Sequence, residues 1–248
     1  MIKFFRKIRQ NLIMKNKTGK YFKYAIGEIV LVVIGILLAL QINNWNENRK
    51  INNQETIYLQ DIKNDITFDI ETLNARVVNN NLMLHNIDTI LTLISSKKIF
   101  TEQDEVLLAN MTLKLFGESY FIPEKGTINQ IQSSSSGSFI KNKTLRDLIF
   151  RYYSNAERIE KNMEQSIQIY QHQIITPTLI HPAISKKGMN IDAEVPLLDM
   201  SLLIKNNDYL NALTLKSVGT QNQNIQYLKI IGKAEQILSI INTELTND

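Results

Sequence analysis

Asp61, Asp65 and Asp69 recur at every fourth position. On a helix that spacing lines the three carboxylates along one face. Such a stripe could hold a divalent cation or a basic partner. A solvated face, or pairing with Arg146, Arg151 or Arg158 further along, is the simpler expectation. Tyr152 and Tyr153 are adjacent, and helical geometry predicts one packed inward and its neighbour turned partly outward rather than an aromatic cage. His85, His172 and His181 have no ligand partner three or four residues away, so no metal site is expected. The run SSSSGS, Ser133 to Ser138, lacks the pattern of a phosphate-cradling loop and reads as a turn. There is no cysteine and no nucleophile-elbow motif, which removes thiolate ligands, thiol nucleophiles and disulfides. No catalytic residue and no cofactor are expected, and the chain reads as a non-enzyme.

The carboxylate that stands out is Glu28, because it lies inside an apolar run. Residues 24–42, YAIGEIVLVVIGILLALQI, are long enough as a helix to cross about 30 Å of hydrocarbon. Tyr21, Tyr24 and Trp45 stand at its ends, where amphipathic rings favour the membrane interface. Glu28, Val32, Gly35 and Ala39 share one face of this helix. Gly35 and Ala39 form a small-x-x-x-small pair that lets helices approach closely. That face predicts contact with a partner membrane helix or a second copy. The competing reading places Glu28 at headgroup level, paired with Lys20 or Lys23.

Charge sets the orientation. Eight Lys or Arg and no acid lie in residues 1–24, whereas only Arg49 and Lys50 closely follow the apolar run. The positive-inside rule puts the N-terminus in the cytoplasm and the rest outside. From residue 46 onward 20 bases meet 23 acids, so the high pI belongs to the arm alone. It suits anionic lipid, and no nucleic-acid partner is expected. Ile2, Phe5, Ile8 and Leu12, with Lys3, Arg6, Lys7 and Arg9 beside them, describe a basic amphipathic helix on the inner leaflet. The A-x-A cleavage pattern is missing, so an uncleaved signal anchor is expected. The expected domains are a basic arm (1–23), a transmembrane helix (24–45) and an extracytoplasmic domain (46–248).

The domain reads as all-α. Apolar residues step by threes and fours through Leu59, Ile62, Ile66, Ile70, Leu73 and Val77, then Leu84, Ile87, Leu91 and Ile94. The Asn-rich stretch from Asn43 to Gln54 weakens a continuous helix, since Asn is a poor helix former, and leaves both a continuous helix and a flexible neck open. Thr101 can cap a second helix, and a short one is plausible around Ile128–Ser133. Leu145, Ile149, Tyr152, Ala156, Ile159, Met163 and Ile167 mark a further long helix, ended by Pro177. The last, about Asn207–Leu245, is expected to turn Leu210, Leu213, Ile225, Leu228, Ile231, Leu238, Ile241 and Leu245 to one side, and its polar centre at Ser217–Asn224 leaves a bend or loop open. The sum is an antiparallel helical bundle with coiled-coil rhythm and a long first helix.

Two stretches, FFRKIRQNLIMKNKTGKYFKYAIGEIVLVVIGILLALQINNWNENRK (Phe4–Lys50) and SSSSGSFIKNKTLRDLIFRYYS (Ser133–Ser154), resemble a bacterial family of single-pass membrane proteins of unknown function. The resemblance implies a cell-envelope setting at the inner membrane and supplies no activity, ligand or site residue. The expected function is a membrane-anchored helical scaffold that binds another envelope protein or its own copies. The alternative is a ligand-sensing outer module that signals through a partner protein.

Overall fold

The computed structural model describes residues 18–96, 99–115, 121–133, 140–170 and 205–247. Five helices and no strand occur among them: α1 (Thr18–Ser96), α2 (Glu102–Lys114), α3 (Gly126–Ser133), α4 (Lys143–Tyr170) and α5 (Asn207–Asn247). The chain divides into two compact units, Met1–Thr56 and Ile57–Asp248. The predicted amphipathic helix, with Lys3, Phe5, Arg6, Lys7 and Arg9, lies outside the described residues, as do His172, His181 and Pro177.

In the first unit, α1 carries a window of mean hydropathy 2.6, long and apolar enough to cross a membrane, and none of it is buried. Trp45 and Lys23 are exposed, and the Arg49 guanidinium lies 5.9 Å from the Trp45 ring centroid. Lys20, Tyr21 and Tyr24 fall within α1. The Asn-rich stretch is helical rather than a neck. Each Asn costs only a fraction of a kcal/mol relative to Ala, and no glycine or proline is present to stop propagation.

The helix starts of the second unit follow from local capping. Thr101 Oγ1 accepts from the Asp104 amide at 3.3 Å, and the Asp104 carboxylate accepts from the Thr101 amide at 3.0 Å. This reciprocal pair starts α2, as the sequence predicts. Asn142 Oδ1 accepts from the Leu145 amide at 3.0 Å to start α4, and Asn206 Oδ1 from the Asp208 amide at 2.8 Å to start α5.

Apolar packing falls into two clusters. The larger joins Leu59, Ile62, Ile66 and Leu73 of α1 to Ile128 and Ile131 of α3, Leu145, Ile149 and Ala156 of α4, and Ile230, Ala234, Ile237 and Ile241 of α5. The smaller joins Ile87 and Ile90 of α1, Leu108 and Ala109 of α2, and Tyr209, Ala212 and Leu213 of α5. Asn142 reaches Glu244 at 2.6 Å, so the start of α4 lies beside the end of α5. Asn80 meets Asn224 at 2.8 Å while Met83 meets Thr220, so α1 and α5 run in opposite senses.

Between the clusters the packing changes character. No residue of α1 from Asn74 to Asn86 is buried. Asn80 donates to Gln223 and Asn224, and Asn224 donates to Asn81. The α5 residues turned inward here are Lys216, Thr220 and Asn224. Ser217–Asn224 is continuous helix rather than a bend, and Ile225 and Leu228, expected on one side with Leu213 and Ile231, are exposed. Counting apolar residues misplaces the α5 face because the inward positions at this waist are polar.

Candidate functional site: a buried carboxylate–tyrosine cluster

Residues 121–127 form a short segment that enters α3. Three helices hold it. The Phe121 amide donates to the Tyr227 hydroxyl of α5 at 3.2 Å. The Glu124 amide donates to Asp69 of α1 at 2.9 Å, and the Thr127 amide donates to Asp65 at 3.4 Å. Lys125 Nζ lies 3.3 Å from Glu160 and 3.7 Å from Glu157 of α4. Asp65 thus supplies, from another helix, the acceptor that the first turn of α3 needs.

Asp69 is the centre of this arrangement. It is fully buried, and its second oxygen accepts a 2.6 Å hydrogen bond from the Tyr152 hydroxyl of α4. Burial pushes its pKa up to about 6, against the opposing effect of the Tyr152 and Glu124 hydrogen bonds. The nearby charges of Glu124 and Asp65 push the same way as burial. Burial, together with Asp69, also raises the Tyr152 hydroxyl, and burial alone pushes Tyr209 up to about 12 while Thr112 hydrogen-bonds it. The carboxylate stripe is therefore neither a solvated face nor an arginine partner at Asp69: one member is sealed in the core against a tyrosine and a backbone amide.

Tyr153 is buried as well, not turned outward, and packs edge-to-face on Tyr152 with centroids 5.1 Å apart. Its hydroxyl is buried with no hydrogen-bond partner among the described residues, and burial raises its pKa. The two neighbours should respond oppositely to loss of the hydroxyl. Tyr152→Phe strips Asp69 of a hydrogen-bond donor and should cost about 1–3 kcal/mol. Tyr153→Phe removes an unsatisfied buried group and should be neutral or stabilising. Urea denaturation of the two variants checks the pair; equal losses would mean that Tyr153 has a polar role of its own.

Chemically, the cluster can hold a proton and dock a backbone segment. Asp69 has no exposed surface with which to meet a substrate. Among the described residues no three or more His, Cys, Asp or Glu side chains are grouped to hold a metal ion, and His85 is exposed on α1. The sequence signal for Asp69 was its phase: it stands three residues after Ile66 and four before Leu73, inside the buried stripe, where Ile70 is only partly buried.

Glu28, Val32, Gly35 and Ala39 all lie on α1. Gly35 has open space around the position of a Cβ, Val32 is exposed and Glu28 is half-buried. No curated protein and no solved structure matches the chain. A model of a family of unknown function, DUF6090, matches residues 28–180, more than half of the chain, from the Glu28 turn of α1 through the tyrosine pair of α4 and beyond. The chain therefore belongs to this family, DUF6090.

Proposed function

We propose that this chain is a single-pass membrane protein of the bacterial cell envelope. Residues 24–45 cross the inner membrane, residues 1–23 lie against its cytoplasmic leaflet, and residues 46–248 form an extracytoplasmic antiparallel helical bundle that acts as a non-catalytic interaction or scaffold module. The carrying observation is a contrast within one chain. The 57–248 unit buries its apolar side chains in two clusters, whereas the window of mean hydropathy 2.6 on α1 has no protein cover at all. An exposed apolar helix of that length is stable in hydrocarbon and a liability in water. The eight bases ahead of it support the orientation. Within the bilayer, Glu28, Val32, Gly35 and Ala39 supply the face for a partner membrane helix or a second copy, and an envelope protein is the expected soluble-side partner.

A periplasm-active reporter fused after Asp248 should be active, and the same fusion of a cytoplasm-active reporter should be dark. The reverse pattern overturns the orientation. Activity of the periplasmic reporter in the soluble periplasmic fraction, with the chain shortened at its N-terminus, overturns the anchor.

A further inference from the structure

The waist between the two clusters is built inside out. Its inward positions on α5 are Lys216, Thr220 and Asn224, while Val218, Ile225 and Leu228 on the same turns are 50%, 49% and 56% exposed. A helix normally turns its apolar side to its own core and its polar side to water. Here the apolar side faces away from α1, so the sequence of these turns is fitted to a second contact.

The outward residues are spaced as a coiled-coil seam. Thr214, Val218, Gln221, Ile225, Leu228 and Gly232 follow one another by steps of four, three, four, three and four, and all are exposed. In heptad terms Val218, Ile225 and Gly232 occupy a, and Thr214, Gln221 and Leu228 occupy d. The apolar part of the seam is Val218 and Ile225 at a with Leu228 at d, the pairing of types found in two-stranded parallel coiled coils, while Thr214 and Gln221 fill the other d positions. A Cβ at Gly232 would meet nothing within 4 Å, so a neighbouring backbone has room to approach.

Charge selects the occupant. Between Asp208 and Glu235, α5 has no acid, and no charged side chain stands in the seam from Thr214 to Gly232. In a parallel pair of identical helices the position opposite Lys229 is an asparagine, Asn224, so no like charges meet. The outward face of α1 at the same level is less suitable. Val78 and Leu82 are exposed there, but Glu71 and His85 share their seam.

We propose that α5 pairs in parallel with α5 of a second copy of this chain through Val218, Ile225 and Leu228. The inference deepens the scaffold reading and takes from it only the shared anchor, which brings copies together at one membrane. About two and a half heptads make a weak contact in solution, and confinement to one membrane raises the effective concentration that a weak contact needs.

The chain has no cysteine, which makes a single introduced thiol a clean reporter. The full-length chain in native membranes is treated with copper–phenanthroline. Ile225→Cys should give a disulfide-linked dimer several times more readily than Asn74→Cys, an exposed position off the seam. Adding Leu228→Glu to the Ile225→Cys chain should abolish the dimer while leaving the far-UV helical signal unchanged. Equal cross-linking at both positions, or none at Ile225→Cys, overturns the proposal. So does a loss of helicity with Leu228→Glu, which would mean that this face is needed for the fold of the chain itself. None of these failures touches the topology reporter, so the anchor and the pairing stand or fall separately.

Discussion

Replacing Ile149 by aspartate should strip the 57–248 unit of a large share of its stability at neutral pH. Ile149 has no exposed surface and stands in the larger cluster, among α1, α4 and α5. The substitution removes buried hydrocarbon and puts an unpaired carboxylate in its place, a change in the range of about 4 kcal/mol or more. That is a large share of the roughly 5–15 kcal/mol by which a domain of this kind is stable. Ser154→Asp, five residues on and exposed, should stay within about ±0.5 kcal/mol. Circular dichroism during urea titration compares them, and equal effects would mean that the register of α4 is misassigned.

The second large effect is a pH dependence centred on Asp69. Its carboxyl titrates near 3.8 in the unfolded chain and is raised to about 6 in the folded one. The folded state therefore holds the proton more tightly. The stabilisation is complete below the unfolded value and is lost as pH rises through about 6. A shift of about two units corresponds to roughly 3 kcal/mol across that window. Other carboxylates titrate in the same range, so the informative quantity is the stability of Asp69→Asn minus that of wild type. An asparagine here can still accept from the Glu124 amide and has no charge to desolvate. The difference should rise in favour of the variant by up to about 3 kcal/mol between pH 4 and pH 7.5. A flat difference would show that Asp69 titrates normally in the folded protein.

The sequence disclosed some of this and hid the rest for physical reasons. Helices and their starts were legible because capping is local: Thr101 and Asp104 are three residues apart and need nothing else. The core face of α4 was legible because Leu145, Ile149, Ala156 and Ile159 are apolar and in phase, and all are buried. The face of α5 was legible at its ends, where Leu213, Ile231 and Ile241 are buried as expected, but not at the waist. Lys216, Thr220, Asn224 and Tyr227 are buried, and Ile225 and Leu228 are exposed, so hydropathy points to the wrong side. The burial of Asp69 was missed, because the stripe was read as a solvated face, although its phase between Ile66 and Leu73 carried the signal. The clamp on residues 121–127 was not, because carboxylates of α1 there meet backbone amides 55 and 62 positions away, and a backbone amide leaves no trace in residue identity.

The pairing of α1 with α5 has a consequence for how the protein is made. Asn80 and Asn224 are 144 positions apart, and both apolar clusters include side chains of α5. At roughly 5–20 residues per second of synthesis, α1 waits about 7–30 s for its partner. Throughout that interval Ile62, Ile66, Ile87 and Ile90 are on the growing chain with no α5 to cover them. A chain that stops before α5 leaves both clusters without the side chains that α5 supplies.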